Sequence, residues 1–381
     1  MMLLTIPRFI LAVKEAETLA QQAQEAYEAN PDDNLRSLAN EAGAKLIEAT
    51  NRETLFWKQK AKLLWMENGD QNTSFFHSFV KGRMTKLKIR SIKDISGKLI
   101  DHEEGIKTAA VEYFSEVFNK HNIFEAQSIQ HYIPLTISTE DNHMMSRILD
   151  NEEIKKAVWD LNPNSAAGPD GFNGYFFRTC WEIIKGDVIK ATQEFFLGIS
   201  VPQAFGSTFI TLIPKKDNCH LFSDFRPISL STFMSKINTR ILASRLQVLI
   251  PKMVSKEQSA YQKGKGIDDQ VLMASEMLHN IDKQCEGGKV IIKLDMAKAF
   301  DKIEWSFLGG VLDKFGFNPK VQDLLLENLV STHVSILING CPTGFFKMKR
   351  GVKQGDPLSP LLFIIASELK QRSIQWLLMK M

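Results

Sequence analysis

The chain is poor in the residues that build cross-linked or metal-tied scaffolds. Four of its 381 residues are cysteine, Cys180, Cys219, Cys285 and Cys341, and no two of them share a Cys-x-x-Cys spacing. That argues against a zinc ribbon and a disulfide framework, points to a reducing compartment, and gives no reason to expect a disulfide-linked partner. Cys219-His220 alone is too small a donor set to hold a metal. The apolar start, Met1 to Val13, is broken by Pro7 and Arg8 and is too short to span a bilayer. It also lacks a cleavage pattern, so neither a transmembrane segment nor a signal peptide is expected. Bulk charge is slight, and a net +3 implies little about partners. Internal repeats and low-complexity tracts are missing. With 44% hydrophobic and 24% charged residues, the composition excludes a disordered or fibrous protein. The expectation is an intracellular protein, nuclear or cytoplasmic, with no membrane partner and enough length for two or three domains.

What the chain does have is an uneven charge distribution. Residues 1–50 hold 4 Lys/Arg against 8 Asp/Glu, and residues 51–100 hold 11 against 4. The basic block is interleaved with Phe56, Trp57, Trp65, Phe75, Phe76 and Phe79. That mixture suits an RNA or single-strand surface, through phosphate contact and stacking, and equally a helix with aromatics inward and lysines in water. Residues 9–29 and 34–66 are dominated by strong helix formers around the turn Asn30-Pro-Asp-Asp33, which predicts an N-terminal helical hairpin over 1–66. A basic and aromatic linking region follows over 67–150, with a small hairpin around Asp94–Gly97, a helix over 103–118 and a loose connection over 120–150.

From residue 151 to 381 the texture is α/β. Ser165-Ala-Ala-Gly-Pro-Asp-Gly171 demands a structured loop, Asp170 reads as a turn residue, and helices are expected over 174–197, 234–249, 268–285 and from Leu358. Two strands should meet at Asn339-Gly340. The centre of this region is Val290-Ile-Ile-Lys-Leu294, a β-branched run that reads as a buried strand ending at Asp295. A carboxylate there either faces a ligand crevice, where it can hold a metal, or caps the next helix.

The motifs, in order, are Ser165–Gly171, Leu212-Ile-Pro-Lys-Lys216, Phe225-Arg-Pro-Ile-Ser-Leu230, Gln258-Ser-Ala-Tyr-Gln262, Lys293-Leu-Asp-Met-Ala-Lys-Ala-Phe-Asp301 and Arg350-Gly-Val-Lys-Gln-Gly-Asp-Pro-Leu-Ser-Pro360. This series resembles the reverse transcriptase domain of non-LTR (LINE-type) retrotransposons, particularly of plants. Trp57-Lys-Gln-Lys60 and Gly69-Asp-Gln-Asn-Thr-Ser-Phe-Phe-His77 resemble the segment upstream of it. The resemblance covers roughly residues 10 to 368. A group II intron maturase shares the palm motifs and is the runner-up within the same fold.

The resemblance implies a right-hand polymerase with fingers and palm. It implies RNA-directed DNA synthesis on an RNA template and DNA primer from dNTPs, with two Mg²⁺ (or Mn²⁺) ions. It gives Asp295 the role of first metal ligand, with the main-chain carbonyl of Met296 beside it. Phe300 becomes the ring that excludes a 2′-hydroxyl, its alternative being the first core residue of its helix. Arg226, with Lys215 or Lys216, faces the triphosphate, and Gln354-Gly355 contact nucleotide and template. Asp356 is assigned to structure, as an N-cap before Pro357, and Asp301 is ambiguous.

The sequence also departs from the family. No Tyr-Ala-Asp-Asp-type pair follows Asp356, and the only acid after it is Glu368. Asp268-Asp269 lies on the wrong side of Asp295. The expectation is therefore an incomplete palm and no thumb, at most one ion, and either an inactive truncated polymerase or a non-catalytic RNA-binding remnant.

Overall fold

A computed structural model describes residues 2–61, 74–94, 96–120, 132–262, 264–283, 289–291 and 293–380. The expected helix break at Met66–Thr73, the side chains of Trp65, Phe75, Phe76 and Phe79, and Ile292 fall outside what is described. The fold mixes helix and sheet and divides into two compact units. The smaller comprises Met1–Ile106, Ile213–Asp224 and Leu337–Pro342; the larger comprises Lys107–Leu212, Phe225–Ile336 and Thr343–Met381. No helix among the described residues is long and apolar enough to cross a membrane.

In the smaller unit, α1 (Met2–Ala29) and α2 (Asp33–Ala61) pack along one another, and α3 (Ser74–Leu87) packs on α2. Trp57 faces inward: it is 1% exposed, and its indole N–H donates to Glu53 Oε1 at 3.1 Å. Among the described cations, Lys81, Arg83, Lys86, Lys88, Arg90, Lys93 and Lys98 are all exposed. Two short strands, β1 (Ile92–Lys93) and β2 (Leu99–Ile100), pair antiparallel with Ile92 opposite Ile100. The Asp94 carboxylate closes their turn by accepting from the Lys98 N–H at 2.9 Å and the Ser96 hydroxyl at 2.6 Å. Such local side-chain bonds are what Asp contributes to turns.

The larger unit begins with α4 (Glu103–Asn119), most of which it contains. It continues through α5 (Thr139–Ser146), α6 (Asn151–Asp160), α7 (Gly174–Thr179), α8 (Trp181–Phe196) and α9 (Gln203–Gly206). The stretch expected to be loose contains α5, which opens with a complete capping box between Ser138 and Asp141. Its apolar content is too low for a periodicity to show, and capping rather than amphipathicity defines it.

Then come β3 (Ser207–Pro214), β4 (Phe225–Ser231), α10 (Phe233–Met253), α11 (Ile267–His279), α12 (Trp305–Phe315) and α13 (Pro319–Val330). The chain closes with β5 (His333–Ile338), β6 (Cys341–Lys347) and α14 (Ser359–Lys380). The sheet order is β4-β3-β5-β6. The motif Phe225–Leu230 is thus part of strand β4. Its Pro227 fits because β4 is an edge strand, where a missing N–H costs no ladder bond. The core centres on α10, buried on nearly all sides, against α5, α6, α8, α13 and α14. At Gly168 a Cβ would lie 2.5 Å from the Ser231 backbone, so the Gly-Pro-Asp-Gly loop packs closer to the β4–α10 junction than any side chain allows. Asp170, beyond serving its turn, accepts from the Phe233 N–H at the start of α10.

Candidate functional site

Residues 353–356 form the best-defined feature of the site. The Asp356 N–H donates to the Lys353 carbonyl at 3.2 Å, closing a four-residue turn with Gln354 and Gly355 at its centre. Gly355 has φ +102, the left-handed value that the third position of a type II turn requires. A Cβ there would meet nothing nearer than the Ser229 carbonyl oxygen at 3.5 Å. Conformation, not lack of space, therefore accounts for the glycine. Gln354 lies against the free edge of β4: its carbonyl accepts from the Ser229 N–H at 2.8 Å, and its side-chain amide donates to Asp301 Oδ1 at 2.7 Å.

Residues 300–304 run beside the residues that precede this turn. The Val352 N–H donates to the Phe300 carbonyl at 2.8 Å and the Gly351 N–H to the Ile303 carbonyl at 2.7 Å, while Glu304 and Arg350 form an antiparallel bridge. Asp301 is buried here at 4% exposure. The Phe300 ring stacks on Phe363 of α14, with centroids 4.6 Å apart and planes 15° from parallel. Arg226 stands exposed on β4, three residues before Ser229. Backbone hydrogen bonds thus join three segments distant in sequence, carrying Arg226, Phe300 with Asp301, and Gln354 with Gly355.

Asp295 is placed differently from expectation. Among the described residues of 289–296 there is no strand, and Val290, Ile291 and Leu294 are 84%, 52% and 57% exposed. An apolar β-branched run becomes a buried strand only where a neighbour offers its backbone. The four strands β3–β6 pair with one another and leave this run outside the sheet. Asp295 is exposed, as is Met296, and among the described residues it accepts no hydrogen bond. No group of three His, Cys, Asp or Glu able to hold a metal occurs among the described residues. The described residues around Asp295 do not supply the carboxylates of a two-ion centre. Just beyond, Lys298 adopts φ +54, uncommon for a residue with a side chain, with its ammonium 4.4 Å from the centroid of the Tyr113 ring. Burial holds its pKa below the ordinary lysine value.

Lys215 belongs to the smaller unit. Its ammonium donates to the Ser223 carbonyl at 2.9 Å, and its neighbour Lys216 pairs with Asp224 at 2.9 Å. That pairing lowers the Asp224 pKa and raises that of Lys216.

Beneath the turn lies a buried polar cluster that leaves no signal in the sequence. Lys353 is 1% exposed, and its ammonium donates to Ser235 Oγ at 3.3 Å. Ser235 in turn donates to Asn328 Oδ1 at 2.7 Å, and Asn328 Nδ2 lies 3.5 Å from Asp356 Oδ2. Thr239 donates to the same oxygen at 3.1 Å, and the Leu358 N–H to Asp356 Oδ1 at 3.0 Å. Burial pushes the Lys353 pKa down to about 8, against the partial support of Asp356. Lys236, which donates to the Ala166 carbonyl at 3.2 Å, is also lowered by burial, and burial raises Asp170. Asp356 is structural, as expected, but it is not the helix cap: α14 starts at Ser359, and the carboxylate ties the turn to α10 and α13 instead. Glu368, the one acid beyond it, is wholly buried and engaged by Ser255 and Arg372.

Residues 213–375 match the family described as "Reverse transcriptase (RNA-dependent DNA polymerase)". The chain is 25% identical over 301 residues to the "Transposon TX1 uncharacterized 149 kDa protein" of Xenopus laevis, covering 78% of this chain and 23% of that protein. It is 31% identical over 222 residues to the "Retrovirus-related Pol polyprotein from type-1 retrotransposable element R2" of Popillia japonica, covering 57% and 29%. To the type-2 element R2DM polyprotein of Drosophila melanogaster it is 26% identical over 236 residues, covering 61% and 22%. The chain thus spans less than a third of the length of each of these three relatives. Residues 213–375 are thus similar to the reverse transcriptase family, and the relatives found are proteins of transposable elements.

Proposed function

We propose that this chain is the fingers and part of the palm of a LINE-type RNA-directed DNA polymerase. The resemblance of Gly69–His77 to the upstream segment of plant elements favours that lineage. By role, the N-terminal hairpin spans 1–66, a basic connecting region 67–150, and the polymerase portion 151–381. In this reading an RNA template and a DNA primer are the partners. Arg226 meets the triphosphate of a dNTP, Phe300 meets its sugar, and Gln354-Gly355 meet its base and the template; Lys215 is kept as a triphosphate contact by motif position alone. The observation that carries the reading is the hydrogen-bonded convergence of β4, residues 300–304 and the 353–356 turn. Phosphoryl transfer asks the protein mainly to position groups and neutralise charge, and that convergence joins the positioning elements.

The neutralising elements are incomplete. Among the described residues, Asp295 with the Met296 carbonyl is the donor set this reading has, where a pair of Mg²⁺ or Mn²⁺ ions calls for several carboxylates. These 381 residues by themselves therefore hold nucleic acid without extending it. The exposed cations from Lys81 to Lys98 support this binding-only reading. Primer extension on an RNA template, with Mg²⁺ and then Mn²⁺, tests it beside Asp295→Asn. No extension by either protein, with RNA binding retained, is the expected result. Extension that the substitution abolishes would show that another carboxylate completes the site.

A further inference from the structure

The 353–356 turn has two exposed or half-exposed residues between two buried charged ones. Its first foot, Lys353, reaches Ser235 of α10. Its last foot, Asp356, reaches Thr239 of α10 and Asn328 of α13. Ser235 and Asn328 are bonded to each other, so the two feet close a ring through the helices. Leaving a lysine fully buried is unfavourable unless something else is gained by it. The charges facing its ammonium are Asp356 from the turn itself and Lys236 from α10, with Asp170 beyond Lys236; α13 contributes the neutral Asn328. We infer that Lys353 is a positioning residue: with Asp356 it stakes both feet of the turn to α10 and α13, so that Gln354 and Gly355 are offered to nucleic acid in one conformation. The nucleic-acid half of this inference rests on the reading given under Proposed function. The staking itself does not.

The test uses the full chain, with Lys353→Met and, so that no charge is lost, Ser235→Ala. Amide hydrogen exchange at Ser229, whose N–H the turn accepts, reports the position of the turn, and Ile241 in the core serves as control. A defined RNA–DNA template-primer hybrid reports affinity. In both variants the Ser229 amide should exchange about tenfold faster or more relative to Ile241, beyond any change that global stability, measured separately, accounts for. Hybrid affinity should fall about tenfold at constant salt. Unchanged Ser229 exchange in a folded variant overturns the inference. Faster exchange with undiminished affinity overturns it too, because the turn would be staked without positioning anything. If the wild-type chain holds no hybrid, the reading under Proposed function fails, and the Ser229 arm still decides whether Lys353 stakes the turn.

Discussion

Lys353 shows how far a single residue can depart from what its neighbours in sequence suggest. Between Val352 and Gln354 it reads as one more solvated cation, and only the ring of Ser235, Asn328 and Asp356 reveals it as buried. Its folded pKa of about 8 lies below the ordinary lysine value. The folded state therefore binds fewer protons than the unfolded chain between about pH 8 and 10.5. The cost of burying the charge is present in full below pH 8 and is relieved as pH rises through that window. Its size is on the order of 3 kcal/mol. Lys236 and Lys298, lowered by burial as well, act in the same direction. Wild-type stability, measured by urea unfolding, should thus increase from pH 8 toward 10, and Lys353→Met should flatten that rise; an identical slope in both proteins would refute this. Asn328→Leu should behave in the opposite way. It leaves Ser235 and the Asp356 carboxylate short of partners in a dry site, at a cost of about 2–3 kcal/mol in the same assay.

At the scale of elements, the contrast lies between two runs of equal apolar character. His333–Ile338 is strand β5, with Val334, Ile336 and Ile338 fully buried. Val290–Leu294 has the same texture and is exposed wherever it is described. Periodicity and β-branching report what a segment would do if given neighbours, and the neighbours are a property of the whole sheet. Ile291→Ala should accordingly cost less than about 0.5 kcal/mol, while Ile336→Ala should cost about 2–5 kcal/mol. Comparable losses at both positions would place residue 291 in a core after all. The β5–β6 turn at Asn339-Gly340, the helices that became α4, α10 and α14, and the structured Gly-Pro-Asp-Gly loop were legible because local chemistry dictates each. Strand β4 was hidden by Pro227, and α5 by its low apolar content.

For the whole molecule, motif order carried most of the functional reading. Arg226, Phe300 and Gln354 lie far apart in sequence, and nothing in composition joins them; their shared backbone network became visible only in three dimensions. Asp295 stayed legible as a motif position and illegible as a site, since a metal centre is a count of donors in space. Charge is likewise informative through its distribution. The cations exposed from Lys81 to Lys98 predict that RNA affinity falls steeply with salt, by about tenfold or more between 50 and 200 mM. Filter binding across that range would show a flat profile if those cations face no phosphate.

The exposure of α11 and of the run before Asp295 also bears on how the chain keeps in solution. Ile267, Val271, Leu272 and Leu278 are each more than half exposed, as are Val290, Ile291 and Leu294, on a chain whose net charge is only +3. Weak mutual repulsion combined with exposed apolar side chains favours association between molecules. Association of the purified chain should therefore rise with its concentration, and light scattering across a dilution series would show a flat profile if these side chains do not drive it.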